Sequence, residues 1–503
     1  MRSSALKLKE QKTNIPQVPS MATSEDHSSK QHSLSSSSPV VVVMVPFPAQ
    51  SHLNQLLQLS HVVTSLYDIP VHYVSSALHN SQVKSRASTL LHHSPKIHFH
   101  DFPTPYFLSP KPTKTPDNFP SHLIPAFEAS VHLRQPFSAL LTKLSTTARR
   151  VVVIHDNLMS YVVQDTASLA PNSEEYVFHC ISSISRFSSI RDAMGIGFEA
   201  DQDNQPKVPS LKGCLDPRFI AFKDKQMPFM RRNKSGHLYN ACRFMERDFL
   251  EFILEKEREK DESVKIWAIG PLESVTTFKK IPLNSINNVS EKVYCLEWLE
   301  KQKPKSVLYI SFGTTTFLED KQIEEIAIGL EKSKVNFIWV LRDADRGDVF
   351  DDQKVGGRQL PKGFEESIKG KGLVVREWVP QLEILGHPST GGFMSHCGWN
   401  SCLESMSLGV PLLAWPMHSD QPMNAALVTE FIKVGLKVRE WEKRDELVSS
   451  SVIENVVKRL MASNEGDEIR KKAEELGGEL RKATAEGGIS RIELDSFISH
   501  ITR

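Results

Sequence analysis

The segment VVVVMVPFPAQSHLNQLLQLSHVV, from Val40 to Val63, decides the architecture of this chain. Its opening run, Val40 to Val45, is unbroken and apolar, as a parallel strand buried on both faces requires. Pro46 and Pro48 stop that strand. Apolar residues then recur at Leu53, Leu56, Leu57, Leu59, Val62, Val63 and Leu66, which is helical spacing. Outward from this βα unit, VHYVSS (71–76), KIHFHDF (96–102), RRVVVIHD (149–156) and EYVFHC (175–180) read as further strands separated by helical stretches. Such alternation predicts parallel sheet.

After IWAIGPL (266–272) the pattern weakens, and residues 273–290 read as a polar linker. It restarts with SVLYISFG (306–313), a helix from Glu319, NFIWVLR (336–342), GLVVREW (372–378), GGFMSH (391–396), VPLLAW (410–415) and GLKVRE (435–440). The expectation is an α/β chain of two Rossmann-like domains, 40–272 and 291–503, with the last helix returning to the first domain. Residues 1–39, rich in Ser, Lys and Gln, predict a disordered extension, since they bury too little apolar surface to offset ordering. Ligands of open parallel sheets lie beyond the carboxyl ends of the strands, so the cleft between the domains is the expected site.

A length of 503 residues suits two or three domains. Lys plus Arg number 61 against 60 Asp plus Glu, so no net field favours nucleic acid or an anionic membrane. No apolar run approaches the roughly 20 residues of a spanning helix. Six cysteines without a C-x-x-C pair read as reduced thiols of a cytoplasmic protein.

The segment WVPQLEILGHPSTGGFMSHCGWNSCLESMSLGVPLLAWPMHSDQ, Trp378 to Gln421, carries the strongest chemical signal. Within it GGFMSHCGWNS is a strand, a turn and a helix start, where free N–H groups suit phosphate oxygens. His396, Asn400 and Ser401 add side-chain donors there. Glu404 suits paired ribose hydroxyls, Trp378 offers a stacking face, and Asp420 and Gln421 open another helix where sugar hydroxyls can be read. Taken singly, each of these residues reads equally as packing of a strand–helix turn. Taken together, the segment resembles the secondary-product box of plant UDP-dependent glycosyltransferases, which have the GT-B fold. The resemblance implies that Trp378 stacks on uracil, Val379 (backbone) and Gln381 hold uracil and ribose, and Glu404 takes the ribose hydroxyls. It further implies that His396, Asn400 and Ser401 hold the phosphates and that Trp399, Asp420 and Gln421 face the sugar, Gln421 leaning toward glucose. Thr314, after the strand in SFGTTT, is an added phosphate donor.

His52 lies just past the first strand, and Asp156 ends another in VVVIHDNL. Imidazole suits a general base at neutral pH, and a carboxylate can orient it. Alone, a His and an Asp at strand ends more often serve structure than catalysis; His155 is the neighbouring alternative to Asp156. The resemblance assigns His52 as base and Asp156 as its orienter. Where similar enzymes often have Gly before that His, this chain has Ser51, a candidate contact to phosphate or acceptor. Expected acceptor walls are Phe47, Phe107, Phe119, Phe127, Phe187 and the segment 181–185. The stretches VPFPAQSHLNQLLQLSHVV, VVVIHDNLMSYVVQDTA, LYNACRF and SVLYISFGTTTFLEDKQIEEIAIGLE resemble the zeatin O-glycosyltransferase group. The expected partners are therefore UDP-glucose and a small hydrophobic hydroxylated acceptor such as a cytokinin. A flavonoid, phenolic or terpenoid acceptor and a UDP-xylose donor are the alternatives.

No metal or other cofactor is expected. Asp343-Ala344-Asp345 is a D-x-D that reads as a loop, and such short matches arise easily by chance, as Asp201-Gln202-Asp203 shows; His92, His93, His98 and His100 read as a solvated strand edge. A Ser–His–Asp hydrolase would need a G-x-S-x-G elbow, which is missing. A non-catalytic ligand binder fits less well with both His52 and Asp156 present.

Overall fold

A computed structural model describes residues 39–115, 118–195, 208–232, 234–272, 289–350 and 359–503. The expected N-terminal extension, except Pro39, and the expected linker, except 289 and 290, lie outside them, as does Asp201-Gln202-Asp203.

The first domain holds β1 (Val40–Val45), β2 (Val71–Ser76), β3 (Ile97–Phe102), β4 (Arg150–Asp156), β5 (Ser173–His179), β6 (Gly236–Tyr239) and β7 (Ile266–Ala268). The second holds β8 (Val307–Ser311), β9 (Asn336–Val340), β10 (Gly372–Val375), β11 (Thr390–Ser395), β12 (Leu412–Ala414) and β13 (Gly435–Lys437). Pairing is parallel throughout, in the orders β3-β2-β1-β4-β5-β6-β7 and β10-β9-β8-β11-β12-β13. Strand β6 escaped the sequence reading: GHLY is four residues long and lacks a β-branched run.

The apolar run of β1 is explained by its central place. Val42 and Met44 enter one core with Leu53, Leu56, Leu57, Val62 and Val63 of the helix Gln50–Tyr67. Val41, Val43 and Val45 enter another with Phe47, Phe127 and Phe137. Each face of the strand is thus sealed by its own layer, and no position along it is free to be polar. In β8 the same alternation sends Leu308 and Ile310 to one side and Val307 and Tyr309 to the other. Leu66, included in the helical pattern, is exposed at the helix end.

The helix Asn464–Thr484 packs in the second domain, whereas the last helix, Ile489–Thr502, lies against the first sheet. Its Phe497 contacts Tyr176 and Trp267, with ring centroids 5.2 Å from each. Arg149 and Arg150 donate to carbonyls at its C-terminal end.

One buried acid has an unusual setting. The helix Arg243–Arg258 is kinked at Glu246 (φ −126°, ψ 18°). One Glu246 oxygen accepts from the backbone N–H (2.8 Å) and hydroxyl (2.6 Å) of Ser183, while Oε2 has no hydrogen-bond partner among the described residues. Burial pushes its pKa up from 4.5 to about 7, against the opposing pull of these hydrogen bonds. An acid with a raised folded-state pKa binds its proton more tightly in the folded chain, so stability falls as pH rises through this window. The expected loss is on the order of 3 kcal/mol, and Glu246→Gln should remove most of it. The check is the difference in Tm between pH 5 and pH 7.5 for wild type and variant; an equal difference in both would exclude Glu246 as its source.

Candidate active site

Because β1 and β4 are neighbours in register, with Val45 beside His155, the loop after β1 meets the end of β4. His52, in the first turn of the helix Gln50–Tyr67, places Nδ1 2.6 Å from Asp156 Oδ2. The second carboxylate oxygen accepts from the Leu158 N–H at 2.8 Å. Cys180, just beyond β5, gives the same carboxylate a thiol hydrogen bond. The helix bearing His52 is anchored by Gln55, whose Nε2 donates to the Cys180 carbonyl at 2.9 Å.

Burial alone would lower the His52 pKa, but the charge and hydrogen bond of Asp156, helped by the charge of Asp420, raise it overall. Burial would raise the Asp156 pKa, yet His52, Leu158 and Cys180 together hold it below its ordinary value. Burial and the Asp156 charge keep the Cys180 thiol protonated. Ligating atoms of His52, Asp156 and Cys180 lie within 4.8 Å of one another, the one such group of potential metal ligands among the described residues. Their mutual hydrogen bonds account for that proximity. Asp156 occupies Nδ1 and leaves Nε2 of His52 to a substrate. His155 is directed elsewhere: it is fully buried, with Nδ1 2.8 Å from the Asp156 carbonyl and Nε2 3.1 Å from Glu175.

An aromatic wall adjoins His52. Phe47 meets the imidazole edge-on at 5.4 Å and Phe127 at 4.6 Å, and Phe222 lies 6.0 Å from Phe47. Phe119 lies 4.8 Å from Phe219 and 6.1 Å from His418 of the second domain. Phe107 packs by Gly347. Phe187, expected in this wall, is not part of it: its ring is 5.3 Å from Phe249 and 4.8 Å from Phe252, filling the seam between two helices. Ser51 is exposed, and its carbonyl, rather than its hydroxyl, is engaged by Asn400 Nδ2 at 3.2 Å.

On the second domain, β8 and β11 are neighbours, and their carboxyl ends bring Gly313–Thr314 against His396. A Cβ at Gly313 (φ +75°) or at Gly398 would fall 2.5 Å from His396 Nε2, so the ring requires glycine on both sides. Burial pushes the His396 pKa down to about 4, leaving a neutral ring whose Nδ1 is buried without a hydrogen-bond partner among the described residues. This ring sits where the helix Trp399–Ser407 presents its free N–H groups. Gln381 donates to Ser401 (3.1 Å) and Glu404 (2.6 Å), and accepts from Tyr309 (3.2 Å), next to buried Val379. Trp378 is 40% exposed, with the guanidinium groups of Arg86 and Arg342 at 4.5 and 5.1 Å from its ring.

At the sugar end, two of the expected residues have side-chain atoms engaged elsewhere. Trp399 does not offer its indole to the cleft: the ring is buried and its N–H donates to the Asn240 carbonyl of the first domain at 2.8 Å. Gln421 spends Oε1 on the N–H groups of Met417 (2.9 Å) and His418 (3.1 Å), which fix the turn before its helix. Asp420 remains partly exposed, with burial raising its pKa. Asp345 of the D-x-D is ion-paired with Arg86 (2.9 Å) and Arg342 (3.0 Å), so the loop is a link between domains. The described Thr314 contact is through its carbonyl, which accepts from Asp345 N at 2.6 Å.

Sequence reading missed Cys180, Phe219, Phe222, Arg86 and His418. The last lies within the quoted box, and burial pushes its pKa down to about 3. The others come from helices and turns that carry no motif. Of the four histidines expected at a strand edge, His98 and His100 lie on the edge strand β3, with His98 exposed and His100 Nε2 2.8 Å from His72 Nδ1, whereas His92 ends the helix Ser88–His92 and His93 follows it.

Residues 38–274 match the family model described as glycosyltransferase, N-terminal domain, and residues 286–467 that of UDP-glucoronosyl and UDP-glucosyl transferase. The chain is 50% identical over 466 residues to zeatin O-glucosyltransferase of Phaseolus lunatus, covering 92% of this chain and 97% of that one. It is also 50% identical to zeatin O-xylosyltransferase of Phaseolus vulgaris, covering 92% and 98%. Among solved structures, Medicago truncatula UGT71G1 complexed with UDP-glucose is similar at TM-score 0.69 and 25% identity, over 92% of this chain and 99% of that one. Phytolacca americana UGT2 complexed with UDP-2fluoro-glucose and pterostilbene is similar at 0.68 and 27%, over 93% and 100%.

The His52–Asp156 geometry has a signed consequence for titration. Since the charge and hydrogen bond of Asp156 raise the His52 pKa, Asp156→Asn should lower it. Histidine NMR across pH 5–9 measures this directly, and an unmoved His52 resonance would contradict the electrostatic coupling.

Proposed function

Because this chain belongs to the UDP-glucosyl transferase family, we propose that it transfers glucose from UDP-glucose to a hydroxyl of a zeatin-type cytokinin, with inversion at the anomeric carbon. The observation that carries the chemistry is the His52–Asp156 pair, seated against an aromatic wall and within electrostatic reach of Asp420. His52 Nε2 takes the proton from the acceptor hydroxyl as its oxygen attacks the anomeric carbon. Asp156 holds Nδ1 and stabilises the imidazolium formed. The bond from the anomeric carbon to the UDP oxygen breaks, and the negative charge left on the diphosphate lies at the N-terminus of the helix Trp399–Ser407. Neutral His396 contributes an N–H there without adding a charge that would hold the product. Trp378 stacks on the base, and Gln381 and Glu404, already hydrogen-bonded to each other, take the ribose.

The zeatin acceptor is supported by the names of the two relatives at 50% identity, and Phe47, Phe119 and Phe127 suit a flat purine with an apolar side chain. Those same two names divide between glucose and xylose, which makes xylose the second reading of the donor. Hydrogen bonds from the helix N–H groups and neutral His396 can stabilise the leaving diphosphate without a divalent ion, and no metal requirement is proposed. Among the described residues no helix is long and apolar enough to cross a membrane, and we place the enzyme in the cytoplasm.

His52→Ala should lower kcat by about 10²–10⁴-fold with little change in UDP affinity; turnover near wild type would sink the assignment of the base. Activity should survive EDTA, whereas abolition by chelator and rescue by Mn²⁺ would reverse the metal-free reading. With zeatin as acceptor, a competition among UDP-glucose, UDP-galactose and UDP-xylose should favour glucose, and a win for xylose would move the chain to the second donor reading.

A further inference from the structure

One side chain holds together three parts of the cleft. Asn424, fully buried, lies one helical turn beyond Asp420. Its Nδ2 donates to Asp420 Oδ2 at 2.9 Å and to the Cys397 carbonyl at 2.9 Å. Cys397 forms the turn between β11 and the helix Trp399–Ser407, and its φ of +63° is one that non-glycine residues seldom adopt. The Asn424 Oδ1 accepts from across the domain boundary: from Ser182 Oγ at 2.6 Å, with Ser185 Oγ at 3.5 Å. Ser182 and Ser185 are themselves buried at the start of the helix Ser183–Ala193.

The network fixes which way the amide points. Turned over, its oxygen would face the Cys397 carbonyl and the Asp420 carboxylate, both acceptors. The hydroxyl of Ser182 therefore matches the only orientation in which Asn424 serves Asp420 and the turn together. With the first domain withdrawn, that oxygen loses its hydroxyl partners and is left unpaired, which loosens the hold of the amide on Asp420 and the turn.

We propose that Asn424 is a positioning residue that makes recognition of the donor sugar depend on docking of the acceptor domain. Ser182 completes the amide, and the amide sets the Asp420 carboxylate and the Cys397 turn. This rests on the reading of Asp420 as a ligand of the sugar.

The experiment compares Ser182→Ala, Asn424→Ala, the double variant, Ser182→Thr and Asp420→Ala. It measures initial rates with UDP-glucose, UDP Kd by calorimetry, and Tm. Ser182→Ala should raise the KM for UDP-glucose and lower kcat/KM by about 5–20-fold, with UDP Kd changed by less than about threefold. Asn424→Ala should lose about 10²-fold, the double variant no more than that, and Ser182→Thr should recover most of the loss, because coupled residues are non-additive. Losses that multiply in the double variant, or a lowered Tm with unchanged kcat/KM, would overturn the proposal. If Asp420→Ala is impaired while Ser182→Ala and Asn424→Ala turn over normally, the positioning role alone fails. Unimpaired Asp420→Ala would remove the sugar-ligand reading and the proposal with it.

Discussion

Each sheet reverses its strand order once, between β1 and β4 in the first domain and between β8 and β11 in the second. At such a reversal the connections leave on opposite faces and open a crevice at the carboxyl ends of the strands. His52 and Asp156 flank the first crevice, and Gly313 and His396 the second. The apolar saturation of β1 and β8 is the condition for both. A central strand sealed on two faces has no lateral freedom, so the loops leaving it are held to hydrogen-bonding tolerance.

Around these crevices the charges are sorted. The first domain sets His52, made more basic by its neighbour, against Asp156, which is held ionised. The second keeps its two imidazoles, His396 and His418, neutral by burial. A proton acceptor is thus set opposite uncharged donors, an arrangement suited to a reaction that gathers a proton on one side and releases an anion on the other. The domains are also joined by polar contacts of several kinds: Arg86 to Asp345, Asn400 to Ser51, Trp399 to Asn240 and Arg346 to Ser109. They range from the buried Trp399 and Asn240 to side chains at helix ends and loops.

Much of this was legible in the chain because periodicity and resemblance act on contiguous residues. The run at 40–45 announced a strand buried on both faces by leaving no polar position, and Trp378–Gln421 announced a nucleotide-sugar site by density of matching residues. What stayed hidden was long-range. No local pattern says that Cys180 reaches Asp156 from the end of the neighbouring strand, that Phe222 stands beside Phe47, or that Arg86 lies over Trp378 of the other domain. Trp399 and Phe187 were misplaced for the same reason: an aromatic residue near a site has two sides to turn to, and the partner that decides, the Asn240 carbonyl or Phe249 and Phe252, is far away in sequence.

The return of the last helix to the first sheet means that the chain passes between the domains twice, once after Leu272 and again between Thr484 and Ile489. The two passages meet at the first domain, where the Ser490 hydroxyl donates to the Gly270 carbonyl at 2.7 Å. The strand end that leaves the first sheet and the helix that returns to it are thereby tied together, so that one hydroxyl secures both crossings.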